Sequence, residues 1–205
     1  MYNYEALIHE AGFGVVAGAD EAGRGACAGP LVAAAVILGP QVPDGLDDSK
    51  RLTPARREYL FDAINATALA VAWVRVEAAE CDTLGMQQAD LGALRDAVSA
   101  LDPAPDFAVT DGFAVPGLPC PSVGMWKGDQ VVQCVAAASI IAKVTRDRIM
   151  DELDVIYPGY GFAVHKGYAT AMHQSALAAL GPSPEHRLTY KNVAITAAAL
   201  KLEAL

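Results

Sequence analysis

Apolar positions along this chain gather into short continuous runs over its first third and into longer, polar-interrupted stretches after that. Gly14 to Ala19 is one such run, ending at Asp20, and after a glycine-rich turn Leu31 to Leu38 is a second, which predicts two buried strands joined as a hairpin. Thr53 followed by Pro54 predicts a helix start, because a threonine caps the free amides and proline at the first helical position gives up no bond; the helix should run to about Ala68. Ala70 to Val76 reads as a third strand and Asp82 to Ala100 as a helix. Phe107 to Thr110 is a short apolar run that delivers Asp111 next to Gly112, as the end of a strand would. Val131 to Leu153, Tyr168 to Leu180 and Val193 to Ala204 have helical composition and length. Clusters of proline and glycine at Gly39 to Gly45, Ala114 to Gly124 and Gly181 to Pro184 read as loops.

Three early strands, a later one and then helices suit an α/β fold in which a mixed sheet is covered by helices, with a helical C-terminal part from about residue 160. At 205 residues one domain with one core is the default, and no internal repeat or long linker divides the chain. The hydrophobic fraction is 53%, much of it alanine, and no apolar run approaches the roughly 18 residues that a bilayer span requires. Met1 to Gly14 carries Glu5, His9 and Glu10 and does not read as a secretory signal, so a cytoplasmic location is expected.

The formal net charge of −9 argues against a protein that coats nucleic acid through a broad basic surface. It does not exclude a nuclease, whose clustered carboxylates add to the acidic count and whose bound cations reverse the local sign. Cys27, Cys81, Cys120 and Cys134 form no C-x-x-C pair and read as reduced structural thiols. A zinc site combining them with His165, His173 or His186 is the sharper alternative, but the spacings are irregular.

Asp20 and Glu21 stand side by side at the end of an apolar strand, followed by Gly23, Arg24 and Gly25. Neighbouring strand residues point to opposite faces, so both acids can serve one site only if the chain bends there, which glycine permits. Asp111 ends another strand, and Asp129 lies in Lys127-Gly128-Asp129 just before a long helix. Singly, these are a solvated pair, a turn former and an N-cap. Together they are acids at three separated element ends, and carboxylate clusters of that kind suit magnesium or manganese and phosphodiester hydrolysis.

The stretch Ala17-Gly18-Ala19-Asp20-Glu21-Ala22-Gly23-Arg24-Gly25 resembles the opening motif of the ribonuclease HII family, and Asp48-Ser49-Lys50 with Leu52 resembles its second block. Lys127-Gly128-Asp129 with Ala136 to Asp147 resembles the third, and Tyr160 to Tyr168 the fourth. Four ordered blocks over Ala17 to about Tyr190 are far more specific than any one of them.

That resemblance implies an RNase H-like fold, a mixed five-stranded sheet with flanking helices and a C-terminal helical extension. It implies an endonuclease that cuts the RNA strand of RNA-DNA hybrids and nicks duplex DNA on the 5′ side of embedded ribonucleotides, leaving 3′-hydroxyl and 5′-phosphate ends. Its catalytic, metal-holding carboxylates map onto Asp20, Glu21, Asp111 and Asp129, which would hold two divalent cations, magnesium or manganese. Asp147 is the rival for the fourth place but lies inside a predicted helix between Arg146 and Arg148. Gly23, Arg24 and Gly25 would read the ribose 2′-hydroxyl, and Tyr168 would pack on the deoxyribose after the ribonucleotide. Lys50, Lys143, Arg146 and Lys166 are candidate phosphate contacts. His165 and His186 read as structural, and a monomer is expected. The sequence departs from the family pattern at Gln130 to Cys134 and at Leu188-Thr189-Tyr190; neither stretch contains an expected metal ligand, and the first bears on a nearby phosphate contact. The competing readings are another carboxylate-metal nuclease directed at DNA, and a hybrid-binding module without turnover.

Overall fold

The computed structural model describes residues 4–203. Its elements in chain order are α1 (Tyr4–Glu10), β1 (Val16–Ala22), β2 (Leu31–Ile37), α2 (Pro54–Thr67), β3 (Ala70–Val76), α3 (Ala78–Leu84), α4 (Met86–Ser99), β4 (Phe107–Asp111), β5 (Ser122–Met125), α5 (Gly128–Val131), α6 (Gln133–Ile156), α7 (Phe162–His165), α8 (Ala171–Leu180) and α9 (Lys191–Glu203). The last residue of the expected C-terminal helix, Ala204, lies outside the described residues.

The five strands form one sheet in the order β3-β2-β1-β4-β5. Strand β1 pairs antiparallel with β2, Asp20 opposite Ala34 and Glu21 opposite Ala33, as the expected hairpin requires. On its other side β1 runs parallel to β4, with Ala19 opposite Thr110, and β4 runs parallel to β5, with Asp111 opposite Met125. A mixed sheet with helices and a helical C-terminal part is the expected RNase H-like fold.

The chain divides into two compact units, one comprising the residues up to Ala22, Val32–Val74 and Asp90–Val144, the other Gly23–Leu31, Arg75–Ala89 and the chain from Thr145 onward. In the first, β2 is buried at all seven positions, which is why it reads as an unbroken apolar run rather than an alternating one. Gly18 of β1 packs so closely on the peptide between Cys134 and Val135, at the start of α6, that a Cβ there would overlap its backbone atoms. Val16, Val109, Val132, Cys134 and Val135 form a core cluster around this contact. Each such aliphatic side chain contributes roughly 1.5–3 kcal/mol by leaving water.

The second unit has its own small core of Cys27, Leu177 and Val193, with Tyr190 against it. The Gly167 carbonyl accepts from the amides of both Cys27 (3.0 Å) and Ala28 (3.3 Å), and Gly29 donates to the Glu185 carbonyl at 2.8 Å. Two fully buried arginines complete it. Arg187 donates to the carbonyls of Gly23 (2.7 Å), Ala26 (2.7 Å) and Gly29 (2.9 Å), while Arg146 donates to those of Pro30 (2.8 Å), Ala28 (3.1 Å) and Lys166 (2.9 Å). Main-chain oxygens thus satisfy charged donors that would otherwise carry a large desolvation cost.

Local signals explain the helix ends. The Thr53 hydroxyl accepts from the Arg56 amide at 3.3 Å and Pro54 occupies the first turn, as expected. The single helix expected over Asp82 to Ala100 is two, α3 and α4, broken at Gly85 where φ is +78°. The helix expected from Tyr168 starts at Ala171, because Thr170 caps it by accepting from the His173 amide at 3.3 Å. Strand β5 and helix α1 were not expected: β5 has four residues with a glycine among them, and α1 has no buried residue to mark a face. No helix among the described residues is long and apolar enough to cross a membrane.

Candidate active site

The first unit gathers acids at the ends of its central strands. Asp20 is the fifth residue of β1, Asp111 is the last residue of the parallel neighbour β4, and Asp129 lies in the one-turn helix α5 that follows β5. Lys127 takes a left-handed conformation, φ +56°, to turn the chain into α5. The Asp129 amide then points at the Asp111 carboxylate, 3.4 Å away. A Cβ on Gly128 would stand in ordinary contact with Asp111 Oδ1 at 3.5 Å and press slightly on the Val135 side chain at 3.3 Å.

One carboxylate oxygen from each of Asp20, Asp111 and Asp129 lies within 4.8 Å of the others. Among the described residues this is the one group of three or more acidic, histidine or cysteine side chains with such geometry, so the zinc reading finds no support. All four cysteines are free. Asp147, the rival acid, stands outside the group.

Glu21 also stands outside it. β1 continues in register with β2 through Ala22, so the bend that would turn both acids to one face does not occur at the acids; the first left-handed residue after them is Gly23, φ +92°. Glu21 is half-buried, and its charge still acts on Asp20.

Three carboxylates so close cannot all carry charge comfortably. Burial, then the charges of Glu21 and Asp111, push Asp20 well above the usual carboxylate range. Burial, then Asp111 and Asp48, raise Asp129 from 3.8 to about 6. Asp48 was not expected as a site residue. It is buried in the Asp48-Ser49-Lys50 turn, accepts from Gln130 Nε2 at 3.3 Å and from the Lys50 amide at 2.9 Å, and shares a hydrogen bond with Asp129. The Gln130 to Cys134 departure therefore reaches the site through Gln130. Lys50 supplies the compensating cation. Burial of part of its stem works against its charge, but Asp20, Asp48, Asp129 and Asp111 together outweigh that and hold the ammonium above its ordinary value.

The donor set fits a hard divalent cation. Its atoms are all carboxylate oxygens, two of the three residues are buried, and those two, Asp20 and Asp129, are held toward their neutral forms first by burial and then by neighbouring negative charge, which a bound cation would offset.

The remaining expected site residues have varied fates. In the second unit, Gly23 is buried, Arg24 and Gly25 are exposed, and Tyr168 is exposed with the Arg146 guanidinium 5.7 Å from its ring centre. Arg146 was expected to touch phosphate, but it is fully buried and its donors are spent on three carbonyls, with burial lowering its pKa to about 10. Lys166 is turned the same way, donating to the Asp147 carbonyl at 3.1 Å and pairing with Asp151. Lys143 is half-buried on α6 and Lys50 is exposed. Arg187, which organises the Gly23–Gly29 loop, was missed, since nothing in a sequence distinguishes a buried arginine from a surface one.

A family model described as ribonuclease HII matches residues 17–193. Ribonuclease HII of Cutibacterium acnes is 61% identical over 193 residues, 93% of this chain and 95% of that protein. Ribonuclease HII of Rhodococcus erythropolis is 54% identical over 202 residues, 97% of this chain and 88% of that protein. The crystal structure of ribonuclease H2 from Pyrococcus horikoshii superposes with a TM-score of 0.80 at 27% identity, covering 92% of this chain and 99% of that one. With its three aspartates brought together on an RNase H-like sheet, the chain belongs to the ribonuclease HII family.

Proposed function

We propose that this protein is a metal-dependent endoribonuclease that hydrolyses the RNA strand of RNA-DNA hybrids and nicks duplex DNA on the 5′ side of embedded ribonucleotides. The observation that carries the proposal is the convergence of Asp20, Asp111 and Asp129, remote in sequence, in a chain of the ribonuclease HII family. These acids, with Glu21 beside them, would hold two divalent cations, magnesium or manganese, supplying Lewis acidity to the scissile phosphate and lowering the pKa of water.

The chain's own groups set up the rest. The carboxylates fix a patch of negative charge where cation and phosphate meet, and Lys50, held charged by four acids, offers a cation to a phosphate oxygen. In the reaction a water oxygen bonds to phosphorus as the bond to the 3′-oxygen breaks in line, leaving 3′-hydroxyl and 5′-phosphate ends. The ribose 2′-hydroxyl is read, not used as nucleophile. Its proposed readers are Gly23, Arg24 and Gly25, which follow β1 directly along the chain, and Tyr168, whose exposed ring is available to a sugar face.

The test is a duplex with one embedded ribonucleotide, incubated with the protein and with Asp20→Asn, with and without magnesium or manganese. Metal-dependent nicking that the variant loses is the expected result. Products ending in 2′,3′-cyclic phosphate, or equal cutting of an all-DNA duplex, would overturn it.

A further inference from the structure

The second unit buries three histidines, His165, His173 and His186, none of which the proposed chemistry uses. His165 and His173 stack with ring centres 4.2 Å apart, and Phe162 stands edge-on to both. Their partners dictate where each proton sits. The Ser183 amide can only donate, and it reaches His186 Nδ1 at 2.9 Å, so that nitrogen carries the lone pair and the proton is on Nε2. His186 Nε2 faces His173 Nε2 at 3.0 Å, and His173 Nδ1 faces the Tyr168 carbonyl at 3.0 Å. A carbonyl can only accept. His173 therefore carries its proton on Nδ1 and receives that of His186 on Nε2.

His165 is fixed in the same manner, accepting from the Gly167 amide at 3.2 Å and donating from Nε2 to the Tyr160 carbonyl at 2.8 Å. All three rings are thereby neutral with both nitrogens engaged. Burial, first, and the neighbouring rings keep His186 down at about 4, and burial likewise lowers His173, in keeping with this arrangement.

The chain of bonds ends on Tyr168. Its amide donates to the His165 carbonyl at 2.9 Å and its own carbonyl accepts from His173, so the backbone is pinned on both sides while the ring stays exposed. Gly167, φ +79°, lies between two of these contacts, and its carbonyl holds Cys27 and Ala28.

We infer that His173, whose proton is locked onto Nδ1 by a relay of tautomers through Ser183 and His186, positions Tyr168 for sugar recognition through its one bond to the Tyr168 carbonyl, which makes it a positioning residue of the proposed reaction. This rests on the reading of Tyr168 given above. An error of about 1 Å in such a group is enough to cost up to roughly 100-fold in rate.

Two substitutions separate positioning from stability. In His173→Asn the amide nitrogen stands near the former Nδ1 and still donates to the Tyr168 carbonyl, while the link to His186 is lost. In His173→Gln the longer amide reaches toward the former Nε2 and keeps the His186 link, while the Tyr168 carbonyl loses its donor. Each deletes one of the two bonds. The relay predicts that the ratio of kcat/KM for an RNA-to-DNA junction over a continuous RNA strand stays near that of the parent in His173→Asn. In His173→Gln it should fall by about tenfold toward that of Tyr168→Ala. Equal ratios in the two histidine variants would overturn the relay. A Tyr168→Ala ratio equal to the parent's would instead overturn the reading of Tyr168. Imidazole nitrogen chemical shifts of the unsubstituted protein give a second test that needs no variant and no activity: Nδ1–H on His173 with Nε2–H on His186 is expected, and Nε2–H on His173 would refute the inference.

Discussion

Replacing Asp129 by asparagine should stabilise the metal-free protein at neutral pH while abolishing nicking. Its carboxyl is raised from 3.8 to about 6, through burial and the charges of Asp111 and Asp48. For an acid so raised, the folded state is favoured below the unfolded value of about 4, and that contribution is lost as pH climbs through about 6. At 1.36 kcal/mol per pH unit the gap corresponds to about 3 kcal/mol, and screening by the polar groups around the carboxylate halves it to about 1.5 kcal/mol. In Asp129→Asn the new side-chain amide carries no charge and can donate to Asp48, so the variant escapes this cost. In a chain of 205 residues that corresponds to a rise in Tm of roughly 3–6 °C at pH 8 in EDTA. At pH 4 the gain should vanish, and added magnesium should raise the Tm of the parent more than that of the variant. Differential scanning calorimetry at both pH values, with and without the cation, measures all of this. A variant less stable than the parent at pH 8 would show that the acids are not in electrostatic conflict.

Three further outcomes follow from other parts of the molecule. Arg187→Ala takes the shared donor from the carbonyls of Gly23, Ala26 and Gly29; Gly23 keeps the Ala26 amide, and at roughly 1–3 kcal/mol for each of the other two the Tm should fall by about 5 °C or more, or the protein should fail to fold in soluble form. Gly18→Ala drives a methyl into the Cys134–Val135 peptide and should lower stability by about 1–3 kcal/mol, read as a shifted urea midpoint without change in slope. His186, held at about 4 against an ordinary 6.5 by burial first and by the other rings second, favours folding fully above pH 6.5 and loses that advantage as pH falls toward 4; allowing for partial access of water the loss is roughly 2 kcal/mol. Urea titrations of the parent and His186→Gln at pH 7.5 and 4.5 should show a difference between the proteins that depends on pH, and a constant difference would contradict it.

The fold was legible wherever burial is two-sided or a cap is chemical. The unbroken run of β2 and the Thr53-Pro54 start of α2 needed nothing beyond local pattern. Strand β5 was illegible because its four residues are exposed or half-buried and include a glycine, so only pairing with β4 makes it a strand. Of the clustered acids, Asp111 ends β4 and stands out against its apolar run, whereas Asp20 lies two residues inside the end of β1 and Asp129 is the second residue of α5, so only the fold shows that the three converge. Asp48 escaped notice as a site acid because it sits in a polar turn where acids are ordinary. Arg146 reads as a phosphate contact for a related reason: a helical arginine between polar residues looks solvent-facing, and only the three carbonyls that receive it show otherwise.

Arg187 grips the Gly23–Gly29 segment solely through peptide oxygens, a feature every amino acid shares. Such a grip is blind to what it holds. Saturation mutagenesis should therefore find that position 187 tolerates almost nothing, whereas the exposed position 24, whose carbonyl is also within its reach at 3.2 Å, accepts many residues without losing its path. Evolution and engineers alike can retune that outward side chain while the curve beneath it is dictated from more than 160 residues away.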